Sequence, residues 1–355
     1  MKPVKIVVSL ADLNFAQTNS MGMYNVATNL ARGLARVPAV ELTVLNSHAA
    51  QAPIEGAKNL YFDSAAAGKL RRMIWDQFGV YAQARKHYPD WLLLPKGYLS
   101  FAAKPPCRTV AYVHDVIYHE FYFQRIPGFS PFNSLYFRKC IEAALRRARV
   151  IVTNSQYSKD EVLGLVRRLG YREPAITPVG IGFEPPRPAA AKRDQILALV
   201  SRWPNKISAL AVQYLERWER QSGFKGRIVC VGSLPADVTL PARWQFLQRL
   251  PKDQYENLMA GSKALVYFTR SEGFGMPPIE AALRGTAPVY SAIPATDEVM
   301  AGMGCAFKND DFDAFRSAME RALRADATLV GQWAQALHRR HNWDRVVERL
   351  LAALV

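Results

Sequence analysis

At 355 residues, half of them hydrophobic, the chain is long enough for two domains with their own cores and too apolar for a disordered protein. Its longest apolar runs fall well short of the roughly 20 residues needed to cross a bilayer, and the opening MKPVKIVVSLADLN has no leader pattern; a cytoplasmic protein is expected. A net charge of +16 favours polyanionic surroundings, namely nucleic acid, an anionic membrane face or phosphorylated ligands.

In chain order, VKIVVSL at Val4 reads as a buried strand, followed by a loop and a helical pattern from about Met23 to Arg36. Short apolar strands at Glu41 (ELTVLN), Trp91 (WLLLP), Thr109 (TVAYVHD) and Val150 (VIVTNS) then alternate with helical segments, as a parallel sheet with crossover helices requires. The basic residues concentrate in helical stretches such as KLRRM at Lys69 and RKCIEAALRRAR at Arg138. Each reads either as a solvated face or as a patch for an anionic membrane surface. Residues 171–193 are rich in proline and glycine and mark the expected interdomain linker. A second alternation follows, with strands at Ile196 (ILALVSR) and Arg227 (RIVCVGS) and helices around Ser208 to Arg220 and Asp253 to Ala260. The fold class expected is α/β, with two Rossmann-like, doubly wound parallel-sheet domains facing across a cleft. The domains are residues 1–184 and 185–335, with a final helix over 336–355. Ligands of such sheets bind at the carboxyl ends of the strands. The four cysteines are widely scattered, so neither a metal-ligand set nor a disulfide framework is expected.

The segment Lys263 to Val289 carries the chemistry. KALVYFT is a strand, Gly273 and Gly275 make a tight turn, and Pro277 and Pro278 suit the first turn of a helix that Gly285 ends. Turn amides and the positive helix end together favour an anion such as a diphosphate. Glu280, in the first helical turn, can accept hydrogen bonds from two neighbouring ribose hydroxyls, and Glu272 can face another polyol or a developing positive charge. Taken as bare physics, Glu280 is equally a carboxylate complementing the helix dipole and Glu272 a solvated loop residue.

The run Glu272-Gly273-Phe274-Gly275-Met276-Pro277, then Glu280-Ala281, Gly285 and Pro288-Val289, closely resembles the signature of the large retaining glycosyltransferase family 4, which has the GT-B architecture. HDV at His114, NSQYSKDEV at Asn154, PVGIGF at Pro178 and the ending HNWDRVVERLLAAL extend the likeness over nearly the whole chain. The resemblance implies that Glu280 binds the ribose of a sugar nucleotide and that Glu272 faces the transferred sugar. The amides of Gly273, Phe274 and Gly275 would hold its hydroxyls and phosphate, with Met276 and Pro277 opening the helix. Arg202 and Lys206 in SRWPNK resemble the cation pair that neutralises the leaving diphosphate, so no metal or other cofactor is expected. His114 would touch the sugar or the reacting oxygen, Gly22 the donor from the first loop, and Arg249 the base through its main chain. Two departures stand out. Ser201 replaces a glycine and the Arg202 to Lys206 spacing is one residue short, while the first loop, NSMGMY, keeps only Gly22 of two glycines.

The implied activity is transfer of a hexose, mannose or rhamnose foremost, to a glycan or lipid-linked acceptor in bacterial surface polysaccharide synthesis. GDP-mannose leads as donor, dTDP-rhamnose follows, and a UDP-sugar stays open. The basic surface adds peripheral contact with the inner face of the cytoplasmic membrane. An epimerase or a phosphorylase-like enzyme would use the same architecture. Nucleic acid is not expected as a partner, because zinc-finger spacing, an RNA-recognition aromatic signature and a concentrated basic arm are all missing from the sequence.

Overall fold

The structure, a computed structural model, describes residues 2–14, 21–117, 119, 130–188, 190–248 and 250–355. The chain divides into two compact units, Met1–Gly182 with His341–Val355, and Phe183–Arg340.

The first unit is built on seven parallel strands: β1 (Val4–Ser9), β2 (Val40–Asn46), β3 (Lys58–Tyr61), β4 (Trp91–Leu94), β5 (Arg108–Val113), β6 (Val150–Thr153) and β7 (Ile176–Pro178). Their order across the sheet is β3-β2-β1-β4-β5-β6-β7. Val, Ile and Leu dominate the central strands because both faces are covered, and all four residues of β4 and of β6 are buried. Ile6 of β1 lies beside Leu42 on one side and Trp91 on the other, which fixes the register at the middle of the sheet. Helix α1 (Met21–Ala35) turns Tyr24, Ala27, Leu30, Ala31 and Leu34 inward. Helices α2 (Lys69–Ile74) and α3 (Val80–Lys86) are joined without a break by a π-helical turn, Trp75–Gly79. Helices α4 (Pro131–Arg147) and α5 (Gln156–Arg168) complete the part before Gly182.

Strand β7 lies inside the proline- and glycine-rich stretch read from the sequence as linker. It is three residues long and at the sheet edge, where Pro178 costs no ladder bond, so composition hid it. The chain then stays bound to the sheet, because the Val179 amide donates to the Thr153 carbonyl at 2.8 Å.

The second unit repeats the plan with β8 (Gln195–Val200), β9 (Arg227–Gly232), β10 (Gln245–Leu247), β11 (Ala264–Tyr267), β12 (Ala287–Ser291) and β13 (Cys305–Phe307). The order is β10-β9-β8-β11-β12-β13, again parallel. Between the strands run α6 (Ser208–Ser222), α7 (Lys252–Ala260), α8 (Met276–Leu283) and α9 (Pro294–Met300), followed by α10 (Phe312–Arg324) and α11 (Ala327–Arg340). Phe268, Phe307 and Phe315 pack at centroid distances of 4.6 to 5.3 Å on one face, and Leu197, Val229, Leu265 and Met259 fill the other. The last helix, α12 (Trp343–Ala352), belongs to the first unit. A side chain at Gly33 of α1 would come within 2.7 Å of Val347, and one at Gly182 would meet Trp343, so both glycines let α12 lie close. The cysteines are free thiols, three of them buried.

In each sheet the strand order reverses direction between its first and fourth strands, β1 and β4 in one, β8 and β11 in the other. The loops leaving those strands diverge there and leave room for a ligand.

Candidate active site

In the second unit, the β11–α8 turn is shaped by Gly275, which sits at φ 88°. A Cβ there would approach the Thr296 methyl to 2.8 Å, so only glycine fits. Pro277 and Pro278 then occupy the first helical turn, where the missing N–H costs nothing. Phe274 is 3% exposed and stacks on Phe183, so its side chain anchors the turn in the core. Any contact it makes with a ligand is through its backbone.

Glu272 ends this loop in a dense polar knot. One of its carboxylate oxygens accepts from the Tyr267 hydroxyl (2.7 Å) and the Thr269 hydroxyl (2.7 Å), and pairs with the Lys206 ammonium. Lys206 also donates to the Tyr267 oxygen at 2.6 Å. Burial, then the charge of Glu272, holds the Tyr267 phenol well above its usual range, so it stays a protonated donor. Lys206 and Glu272, expected at the diphosphate and the sugar respectively, are in direct contact. Tyr267 and Thr269 were missed. Their signal was position, since both lie at the carboxyl end of β11, within five residues of Glu272.

The loop after β8 is locked by Ser201. Its N–H donates to the Ser208 hydroxyl, which donates back to the Ser201 carbonyl (both 2.8 Å), and its own hydroxyl accepts from the Trp203 amide at 3.3 Å. The serine side chain adds the Trp203 bond, while the two bonds to Ser208 are backbone ones that a glycine would also make. Asn205 ties it to the next loop, donating to the Ser271 carbonyl (2.9 Å) and accepting from the Arg270 amide (2.7 Å). Arg202 is exposed, and its guanidinium has no protein partner among the described residues.

Glu280, expected in the first helical turn, is instead the fifth residue of α8, because the helix already starts at Met276. Its backbone carbonyl accepts from Arg284, yet no donor reaches its carboxylate among the described residues. Arg284 is committed to Glu256, which also holds Arg187 at 2.8 Å. Burial raises the Glu280 pKa, Arg284 opposes this, and Glu256 adds to the rise. A half-buried carboxylate with no described donor has unused acceptor capacity. Arg249 lies outside the described residues.

The first unit has a counterpart at its own switch point. Asp12, just after β1, is 4% exposed and pairs with Lys96, just after β4; Lys96 also bonds Asp76 in the π-helical turn at 2.8 Å. Asp76 in turn accepts from the Tyr136 hydroxyl at 3.2 Å. Burial pushes Asp76 up to about 6 against the pull of Lys96, and burial also opposes the Lys96 charge, but the two carboxylates outweigh it and hold the ammonium above its ordinary pKa. Each switch point thus carries an ammonium–carboxylate pair joining the loop of the first strand to that of the fourth. The first unit's pair was not found from sequence, because Asp12, Asp76 and Lys96 share no spacing.

His114 follows β5. Its Nε2–H donates to the Pro95 carbonyl at 2.7 Å, and its ring stacks on Tyr112 at 4.3 Å. Burial lowers its pKa to about 4, so it is neutral near pH 7. A carbonyl can only accept, so Nε2 carries the proton and Nδ1 is a hydrogen-bond acceptor. Ser155 caps α5 by accepting the Ser158 amide at 2.9 Å, a structural task. Gly22 lies in the first turn of α1; Asn19 and Ser20 before it are outside the described residues.

Comparison with known proteins agrees with this architecture. Residues 21–177 match the family model described as Glycosyltransferase Family 4, and residues 233–337 match Glycosyl transferases group 1. Two curated relatives are both O-antigen chain mannosyltransferases. RfbU of Salmonella typhimurium is 24% identical over 216 residues, which is 59% of this chain and 59% of the relative. Mannosyltransferase B of Escherichia coli is 21% identical over 306 residues, 77% of this chain and 76% of the relative. Among solved structures, Anabaena HepE, crystallised with UDP and glucose, superposes with a TM-score of 0.67 at 15% identity over 99% of both chains. Sucrose-phosphate synthase of Thermosynechococcus elongatus gives 0.65 at 14% identity over 98% of both.

Proposed function

Because the chain belongs to the family 4 glycosyltransferases, we propose that it transfers a hexose, mannose foremost, from a nucleoside diphosphate sugar to a glycan or lipid-linked acceptor in bacterial surface polysaccharide synthesis. The observation that carries this reading is Glu280, a carboxylate with no donor among the described residues, set in the helix that follows the glycine turn. In this reading it takes the ribose hydroxyls, while the amides of Gly273, Phe274 and Gly275 face the diphosphate and sugar. Arg202 and Lys206 neutralise the leaving group without a metal, and Glu272, already gathering Lys206, Tyr267 and Thr269, positions the sugar ring. Mannose is favoured because both curated relatives are named mannosyltransferases; GDP-mannose is therefore the first donor to test, ahead of dTDP-rhamnose and UDP-sugars.

The reaction breaks the bond from the anomeric carbon to the diphosphate oxygen and forms one to an acceptor oxygen on the same face. The acceptor proton passes to the departing phosphate, so no protein nucleophile is required. His114 Nδ1 and the Asp12–Lys96 pair supply the first unit with acceptor and donor groups for a hydroxylic acceptor. With a lipid-linked acceptor, the enzyme works at an anionic membrane face. Release of nucleoside diphosphate only when acceptor is present, with a product one hexose heavier, tests the proposal. Diphosphate or epimerised sugar nucleotide formed without acceptor would refute it in favour of another chemistry.

A further inference from the structure

The continuous helical stretch from Lys69 to Lys86 presents an unusual face. In its widened turn three successive residues point inward. Trp75 donates to the Ser9 hydroxyl (3.0 Å), Asp76 pairs with Lys96, and the Gln77 carbonyl oxygen accepts from the Ser100 hydroxyl (3.0 Å) and the Phe101 amide (3.1 Å). Gly79 makes this possible, since a Cβ there would fall 2.6 Å from the Trp75 ring. With the interior satisfied in this way, Leu70, Ile74 and Phe78, spaced four apart, are left 70%, 53% and 53% exposed. A helix on a globular core normally turns such residues inward; a line of them facing solvent marks an interaction surface.

The charged residues at the start of the same stretch are of one sign. Lys69 and Arg71 are exposed, Arg72 is half-buried, and none has an ion-pair partner among the described residues. From Lys69 to Lys86 the sole acid is Asp76, and it faces inward. Gln77 also bonds the Tyr136 hydroxyl at 3.3 Å, tying this helix to the loop at Phe101 and to the start of α4, where Phe101, Phe132 and Leu135 are exposed as well. No described helix is long and apolar enough to cross a membrane. Aliphatic and aromatic residues along one line, cations beside them and no exposed acid are the composition of a helix that lies in a bilayer interface.

We propose that the Lys69–Gly79 face docks on an anionic bilayer, with Leu70, Ile74 and Phe78 entering the headgroup–acyl boundary and the exposed Lys69 and Arg71 meeting lipid phosphates. The inference deepens the functional reading, on which it rests for its purpose: it holds the enzyme where a lipid-borne acceptor is presented.

The test is co-sedimentation of the whole protein, without donor or acceptor, with phosphatidylcholine vesicles and with vesicles also containing phosphatidylglycerol. Wild type binds the mixed vesicles, and added salt weakens binding. The triple variant Leu70→Ser/Ile74→Ser/Phe78→Ser and the pair Lys69→Glu/Arg71→Glu each lose at least roughly tenfold in partitioning. Both keep a Tm close to wild type, because these residues are all more than a third exposed and the three apolar ones more than half exposed, and both retain transfer to a soluble acceptor. Phe78→Trp fluorescence shifts to the blue on the mixed vesicles alone. Wild-type failure to bind, or binding unchanged in both variants, overturns the proposal. So does a dimer that the triple variant dissociates with vesicle binding unaltered, since the stripe then covers a second copy of the chain. Vesicle binding without transfer to any soluble acceptor counts instead against the functional reading.

Discussion

Glu280→Gln should weaken nucleotide binding without lowering the stability of the apo protein. In the free protein the Glu280 carboxylate is half-buried, has no described hydrogen-bond donor, and has its pKa raised by burial and by Glu256. Its charge is therefore a net cost to the folded state at neutral pH, and removing it leaves the apo Tm unchanged or higher. With nucleotide bound, the same carboxylate accepts two hydroxyls through charge-assisted bonds of about 1.5–3 kcal/mol each. Glutamine keeps one oxygen, so about 2–4 kcal/mol is lost, or roughly 30- to 700-fold in Kd. Scanning calorimetry of the apo protein and calorimetric titration with GDP, UDP, dTDP and ADP read the two effects separately. A variant that binds the preferred diphosphate as tightly as wild type, or whose apo Tm falls by several degrees, would refute the reasoning and make Glu280 a structural residue.

Further substitutions test the Lys206–Glu272 knot, the Gly275 turn and His114. Lys206→Met should weaken nucleoside diphosphate binding at least roughly tenfold while leaving the corresponding nucleoside unaffected, and Glu272→Gln should lower kcat with little change in diphosphate affinity; equal losses for nucleoside and diphosphate would contradict the phosphate role. Gly275→Ala should cost about 1–3 kcal/mol, from the positive φ and from the Thr296 methyl, and Thr296→Ser should recover only the second part; full recovery in the double variant would show that backbone strain is absent. His114, with a folded pKa of about 4 against an ordinary 6.5, contributes stability that is present above pH 6.5 and lost as the pH falls towards 4, up to about 3 kcal/mol. Asp76 acts oppositely, its raised pKa adding stability as pH falls from about 6. The His114 contribution is thus read as the difference in Tm against pH between wild type and His114→Gln, and parallel profiles would contradict it.

The central strands were legible because each is a short, nearly pure apolar run, and the turn at Gly275 was legible because glycine and two prolines permit little else there. Strands β3, β7, β10, β12 and β13 were not. Four of these, β3, β7, β10 and β13, are three or four residues long, lie at sheet edges and are incompletely buried, and the buried β12 is interrupted by Pro288. The π-helical turn was hidden for another reason. Its inward set, Trp75, Asp76 and Gln77, is consecutive, a pattern that belongs to neither the helical nor the strand period. The Lys206–Glu272 contact needed the strand order, since residues 66 positions apart meet only because β8 and β11 are neighbours. The same holds for Asp12 with Lys96 across β1 and β4.

The central claim, hexose transfer from a nucleoside diphosphate sugar, is tested most directly by incubating the purified protein with GDP-mannose and a lipid-linked glycan acceptor. Product mass and anomeric configuration would be followed alongside released GDP. The account predicts GDP released in step with a product one hexose heavier, joined in the donor's own anomeric configuration, in the presence of a chelator. GDP release independent of acceptor, or a product of inverted configuration, would contradict it.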